Sequence, residues 1–312
     1  MRIIGCMRVR NEEDILEASV RHNLAVVDSL LVLDHGSDDA TPAILAALVA
    51  EGLPLEVRRD DSLGLPGPDA TQSCATRLLE GAADACIPLD ADEFLRVPSR
   101  TALEQLVHGS DPAQPLALSV RTYVPAFEVQ GSIVQRLRHA RTAPGAPEGA
   151  AKFIVRSMVA PGLPATPRPA RFCNPSDDGA APSEPARVPI AVAMVARVPV
   201  RSAEQFNTKV AMGHLLRALG DDGGGPFRWQ DEYAALMAGR VLTPERLTAI
   251  AARYDLPAGS GLDPQAATWV EDPFLRDIEL VHTPARAPNP LGRILAFGER
   301  VASAIAQRTG GL

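Results

Sequence analysis

The sequence predicts an α/β enzyme core built on a mostly parallel sheet with helices on both faces. Over the first hundred residues, short apolar runs alternate with helix-type segments at the spacing of βαβ units. The apolar runs lack the strict alternation of a half-exposed strand, which fits a sheet covered on both sides. Polar clusters follow three of them, at Arg8 to Asn11, Asp34 to Asp39 and Asp90 to Glu93. Open α/β sheets bind ligands beyond the carboxyl ends of their strands, so these clusters are expected to share one edge.

Ile3 to Val9 is the first strand. Asn11-Glu12-Glu13-Asp14 then offers an N-cap residue and an acidic first turn, so a helix is expected from there to about Asn23. Ser29 to Leu33 is the second strand, and Thr41-Pro42 opens the second helix. Leu55 to Arg58 is the third strand, Gly64 to Pro68 a turn, and about Thr71 to Gly81 the third helix. Ala85 to Leu89 is the fourth strand, with Asp90 at its C-terminal end.

Farther along, Leu116 to Tyr123, Val129 to Leu137 and Lys152 to Val155 read as strands. Pro161 to Pro189, rich in Pro, Ala and Ser, reads as a long surface loop, and Ile190 to Val200 as a last strand. From Ser202 the pattern is helical. Ser202-Ala203-Glu204-Gln205 resembles a capping start, Gly220 to Pro226 breaks the chain, and Thr243-Pro244-Glu245 starts another helix. Leu291, Ile294, Leu295, Phe297, Val301 and Ile305 form one apolar face near the C-terminus. Packing against the core is its ordinary use, and peripheral membrane contact is the alternative.

Composition narrows the function. In 312 residues, 46% hydrophobic content supplies a sizeable core and 22% charged content excludes global disorder. A net charge of −7 argues against nucleic acid as a partner, so a phosphate-bearing ligand must be held locally, by a metal or a few arginines. The four cysteines make no CxxC pair, which argues against structural zinc. Cys6 and Cys86 lie in strand-like runs and read as small buried hydrophobes, and nothing points to an oxidising compartment. The N-terminal apolar stretch is too short for a signal peptide, and no run approaches the roughly 20 residues of a membrane span. A soluble cytoplasmic protein is the expectation.

The chemistry centres on Asp90-Ala91-Asp92-Glu93-Phe94. Two carboxylates two residues apart, just past a buried strand, reach one site if the chain turns there. Hard oxygen ligands suit Mg²⁺ or Mn²⁺, which commonly bridge to substrate phosphates. The plain alternative is a solvated turn or a helix N-terminus. For Asp34 to Thr41 the corresponding alternative is a capped turn in which Gly36 supplies backbone freedom.

These motifs together resemble family-2-type glycosyltransferases of the GT-A (Rossmann-like) fold. The resemblance is to a bacterial branch reading R-N-E-x-x-x-x-E, R-H-x, D-x-G-S-x-D-x-T and D-A-D-E-F. The chain carries Arg10-Asn11-Glu12 with Glu17, Arg21-His22, Asp34 through Thr41, and Asp90 through Phe94. The resemblance weakens after about residue 120 and returns at Val198-Pro199-Val200-Arg201-Ser202 through Lys209, similar to H-x-P-x-R-S followed by Lys. It implies a three-layer α/β/α domain over 1–210, with a nucleotide-sugar half (1–110) and an acceptor half (111–210), and a helical C-terminal segment over 211–312.

The same resemblance implies transfer of a sugar, with inversion and metal assistance, from a UDP- or GDP-type nucleotide-diphosphate sugar to a hydroxyl acceptor. It puts Arg8, Arg10, Asn11, Asp34, Gln72, Asp90 and Arg197 at the nucleotide sugar, and a divalent cation (Mn²⁺ or Mg²⁺) on Asp90 and Asp92. Arg197 stands where the family has a His. It cannot ligate a metal, but it can bind a diphosphate as a fixed cation. His139, His214 and His282 are the substitutes to test for a third ligand.

Inverting transfer also needs a carboxylate to take the acceptor's proton, and Glu93, Glu128, Asp177 and Asp178 are the candidates. Phe227-Arg228-Trp229-Gln230 offers an aromatic acceptor platform or a packing cluster. Two rival functions remain: a non-catalytic nucleotide-sugar or glycan binding protein, and a nucleotidyltransferase. The latter usually has a Gly-rich phosphate loop near the first strand, and Arg8 to Asn11 contains no Gly.

Overall fold

A computed structural model describes residues 1–61, 70–111, 114, 116–142, 151–156, 185–217, 229–254, 269–273, 275, 277–285 and 290–309. The expected turn at 64–68, the break at 220–226, most of the Pro-rich loop with Asp177 and Asp178, and Phe227-Arg228 lie outside the described residues.

The chain begins β1 (Ile3–Val9), α1 (Leu16–Leu24), β2 (Ser29–Asp34), α2 (Thr41–Ala50), β3 (Leu55–Arg59), α3 (Ala70–Leu79) and β4 (Ala85–Asp90). It continues β5 (Glu93–Arg96), α4 (Arg100–His108), β6 (Leu116–Thr122), α5 (Ile133–Leu137), β7 (Arg141–Thr142), β8 (Ala151–Arg156), β9 (Ala186–Val188) and β10 (Met194–Arg197). It closes with α6 (Ala203–Arg217), α7 (Gln230–Met237), α8 (Pro244–Ala252), β11 (Val270–Glu271) and α9 (Pro290–Thr309).

Nine strands form one sheet in the order β3-β2-β1-β4-β8-β6-β10-β5, with β9 beside β6. The β3-β2-β1-β4 half is parallel, while β8 and β5 run antiparallel to their neighbours. The predicted α/β class with a mostly parallel, helix-covered sheet is therefore observed.

Alternating residues of β1 show both covered faces. Ile3, Met7 and Val9 pack with α1 and α2 through Leu16, Val20, Ile44 and Leu45. Ile4 and Cys6 face the other way, against Cys74 and Leu78 of α3. Gly5 sits at the crowded centre, where a Cβ would lie 2.5 Å from the end of the Leu30 side chain and force it to shift. Cys86 is not a free thiol as expected, but forms a disulfide with Cys74 that ties α3 to β4. Cys6 stays free beside them, and burial pushes its thiol up to about 12.

Several expected elements differ. The first helix starts at Leu16 and not just after Asn11, because residues 13–15 form a turn in which the Ile15 and Leu16 amides both bond the Glu12 carbonyl; Asn11 itself adopts φ +55°. Val129 to Leu137 holds the short helix α5 instead of a strand. Ser132 and Gln135 form a reciprocal capping box there, a signal present in the sequence. The strand expected over Ile190 to Val200 is only Met194–Arg197, and Ala186–Val188, expected in the loop, pairs with β6. Helix α6 runs through position 210, where the domain division was expected, and α9 packs on it through Phe297, Val301 and Met212. Phe297 and Val301 of the predicted apolar face are buried, whereas Leu291 and Leu295 are exposed. No helix among the described residues is long and apolar enough to cross a membrane.

Candidate active site

The parallel register sets Arg8 of β1 opposite Asp90 of β4, bringing two predicted clusters to one sheet edge. Beyond it opens a cavity of about 520 Å³. Its lining includes Arg8, Arg10, Asn11, Asp90, Asp92 and Arg197, together with Lys209 from α6. Six of the residues expected at a nucleotide sugar or its metal thus meet in one place.

The chain turns at Ala91, so Asp90 and Asp92 both reach the cavity. The Asp90 side chain is 48% exposed, and its carboxylate lies 3.1 Å from the Lys152 ammonium. Burial opposes its charge, but Lys152, with Arg197 and Arg8 beyond, holds the carboxyl below the usual range. Lys152 also lies 2.9 Å from Glu93, and these two carboxylates keep it charged against its own burial. Lys152 is not among the residues expected from the sequence; its signal was a cation beside the apolar run Phe153 to Val155 of β8.

The structure corrects Glu93 as a candidate base. The residue is fully buried. One oxygen receives the Arg197 guanidinium at 2.9 and 2.6 Å, and the other receives Lys152 and the Asp90 amide at 2.8 Å. No lone pair is left for an acceptor, and Glu93 serves as a clamp between two cations. Glu128 is exposed, 3.9 Å from Arg141, and lines neither cavity of this edge.

Arg201 organises the other wall. Its guanidinium is fully buried, donates to Glu12, reaches Asp14 at 2.8 Å and lies 3.9 Å from Asp92. The two ends of the motif set, Asn11-Glu12 and Arg201-Ser202, are therefore joined in space. Burial pushes Glu12 up to about 7, with Arg201 opposing it and Asp92 adding to it.

Asn11 shows why its strained backbone is kept. Its side-chain oxygen accepts from the Asp38 amide at 2.8 Å, and its own amide donates to Ser37 at 3.0 Å, fastening the Asp34 to Thr41 loop to β1. Gly36 lies in that loop at φ +65°. Asp34 is buried and already accepts from the Ser37 amide and the Arg59 guanidinium, so it does not line the cavity. Arg10 lies against the Phe297 ring of α9, and its buried Nε and one terminal nitrogen have no hydrogen-bond partner. Arg300 of α9 binds Asp38 and Arg293 binds Glu13, so the C-terminal helix closes this end of the cavity.

The donor set offers two hard carboxylates. Among the described residues, the one trio of His, Cys, Asp or Glu close enough to share an ion is Cys6, Cys74 and Cys86, away from this edge. His139, His214 and His282 do not line the cavity; His214 stacks on Tyr233 and His282 pairs with Glu51. The pair fits a Mg²⁺- or Mn²⁺-type cation that takes its remaining positions from phosphate and water. Gln72 lies in α3 at the expected position, its side chain outside the described residues. Trp229 packs against Phe206 and Tyr254, so the packing alternative holds for it.

Other motif residues build the frame. Glu17, fully buried, accepts from the amides of Val281, His282 and Thr283, from the Thr283 hydroxyl and from Arg21. Burial alone would raise its carboxyl, but these donors hold it below the usual range. His22 bonds the Leu95 carbonyl at 2.9 Å.

A second cavity of about 1170 Å³ lies between α5, the start of α6 and residues 277–285, and it shares Asp14, Ser202 and Glu204 with the first.

No protein-family profile matches the chain, and no curated protein matches it. Solved structures do. One is TarS from S. aureus in complex with UDP, at 17% identity over 50% of this chain and 47% of that one, with a TM-score of 0.33. Another is glucosyl-3-phosphoglycerate synthase from Mycobacterium tuberculosis in complex with Mn²⁺, UDP and glucosyl-3-phosphoglycerate, at 24% identity over 38% and 44%, TM-score 0.27. A third is the mannosyltransferase PcManGT from Pyrobaculum calidifontis in complex with GDP-Man and Mn²⁺, at 17% identity over 82% and 72%, TM-score 0.37. The chain spans about half the length of the first two.

Proposed function

We propose that the chain is a glycosyltransferase moving a sugar from a nucleotide-diphosphate sugar to a hydroxyl acceptor, with inversion and with help from a divalent cation. One observation carries the reading. At the carboxyl ends of β1 and β4, two carboxylates share a cavity with Arg8, Arg10, Arg197 and Lys209. Cations beside a two-carboxylate metal set suit a ligand bearing several phosphate charges. The buried, unpartnered N–H groups of Arg10 need an anion or another acceptor.

Asp90 and Asp92 would hold Mn²⁺ or Mg²⁺, which when bound offsets charge on the leaving diphosphate as a Lewis acid. Arg197, clamped by Glu93, and Arg8 would face the phosphates as fixed cations. Asn11 and Arg10 would border the nucleoside, with α9 closing the far end.

A screen of UDP, GDP, ADP and CMP by thermal shift, with and without Mn²⁺, tests this. Stabilisation by UDP or GDP, enhanced by Mn²⁺, is expected. A flat response to every nucleotide contradicts it. A second reading, binding without turnover, is favoured by the occupation of Asp90 by Lys152 and of the third-ligand position by Arg197. Consumption of a nucleotide sugar excludes that reading.

A further inference from the structure

The larger cavity has no place in the donor reading, yet it opens directly onto the donor site. The two spaces meet at Asp14, Ser202 and Glu204. At about 1170 Å³ the second exceeds the ~300–1,000 Å³ usual for a small-molecule pocket, leaving room for more than one sugar ring. Its charged lining is mixed, with Asp14, Glu204, Asp277 and Glu279 as acceptors and Arg136 and Arg138 as donors. The Nε of Arg136 is buried without a hydrogen-bond partner. A hydroxyl both donates and accepts, so a polyhydroxylated ligand can answer both kinds of group. Four carboxylates against two guanidiniums disfavour a phosphorylated or carboxylated one.

Resting on the glycosyltransferase reading above, we infer that this cavity is the acceptor site. Its occupant is an uncharged, hydroxyl-rich acceptor longer than one sugar ring, and Asp14 is the group that takes the acceptor's proton. Asp14 and Glu204 both stand at the junction. Arg201 fixes Asp14 in place at 2.8 Å, while Glu204 is an exposed residue on the first turn of α6. In the transfer, the acceptor oxygen bonds to the anomeric carbon as the bond from that carbon to the phosphate oxygen breaks. The hydroxyl proton passes to the Asp14 carboxylate, and the nucleoside diphosphate leaves with the electron pair.

The test measures consumption of UDP-glucose, UDP-galactose and GDP-mannose with four acceptors: water alone, neutral p-nitrophenyl di- and trisaccharides, glycerol 3-phosphate, and glucuronic acid. Nucleotide affinity is followed by calorimetry. The neutral oligosaccharides are expected to speed consumption at least tenfold over water. Asp14→Asn should cut that transfer about a hundredfold or more with nucleotide affinity unchanged. Ala285→Trp, at the exposed rim, should raise the acceptor KM at least fivefold. Stimulation only by the anionic acceptors, none by any neutral glycoside, or transfer by Asp14→Asn within threefold of wild type overturns the inference. Absence of nucleotide binding in the wild-type protein instead overturns the donor reading beneath it.

Discussion

The smaller cavity at the ends of β1 and β4 and the larger one beside α5 are held in shape by different means. The smaller is walled by parallel strands whose register sets Arg8 beside Asp90, and by interlocking ion pairs around Glu93 and Arg201. One wall of the larger is the stretch 277–285, which docks through the buried Glu17 carboxylate of α1, the His282–Glu51 pair and the packing of Ile278 and Leu280 on the core. Register is set many times over by a ladder of backbone bonds, whereas this docking rests on a few side-chain contacts with Glu17 at their centre. The first design suits a donor site that must hold charge in fixed positions; the second suits a wall that can differ without disturbing it.

The largest break in that contrast is expected at Arg201. Arg201→Met leaves Glu12, Asp14 and Asp92 crowded without their shared cation, and should cost about 4 kcal/mol of stability in urea unfolding. It should collapse both cavities' functions together. Glu17→Ala comes next. It leaves three amides and a hydroxyl without their acceptor, for a loss of about 3 kcal/mol. Nucleotide affinity should be nearly unchanged and protease cutting within 277–285 faster. Equal damage to nucleotide binding would erase the distinction between the two regions.

The same contrast decided what could be read from the sequence. In the parallel half, each strand is local and ends in its own polar cluster, so β1 to β4 and the meeting of Arg8, Asn11 and Asp90 were legible. In the other half, β10 lies between β6 and β5, and its pairing with β5, as in Arg197 with Glu93, joins residues far apart in the chain and leaves no local pattern. Over Val129 to Leu137 the apolar residues alone suggest a strand, and the Ser132 and Gln135 cap is the signal that makes it a helix. Asn11 has the chemistry of a helix cap, but its left-handed backbone answers to the Asp34 to Thr41 loop, an interaction 27 residues away. Glu93 looked like a base because sequence shows a carboxylate but not the Lys152 and Arg197 that occupy it.

Smaller effects sharpen the electrostatics of the donor wall. With its carboxyl raised to about 7, Glu12 contributes stability that is fully present below its unfolded value near 4.5 and lost as pH rises through about 7. Glu12→Gln should therefore remove on the order of 2 kcal/mol of stability change between those pH values, measured by urea midpoints. Glu17 works in the opposite sense. Its depressed carboxyl gives stability present above the ordinary Glu range and lost as the pH falls through the depressed value, so the 277–285 docking should loosen in acid. Smallest is Gly36→Ala, where φ +65° disfavours a side chain and a cost of about 1 kcal/mol is expected.

The central claim is that Asp90 anchors a cation-assisted nucleotide diphosphate at the end of β4. Calorimetric titration of wild type and Asp90→Ala with UDP and GDP, each with and without Mn²⁺, tests it most directly. Wild type is expected to bind one of the nucleotides more tightly with Mn²⁺, and Asp90→Ala to lose at least tenfold in affinity together with the Mn²⁺ enhancement. An Asp90→Ala protein that binds as tightly as wild type, with the same response to Mn²⁺, would contradict it.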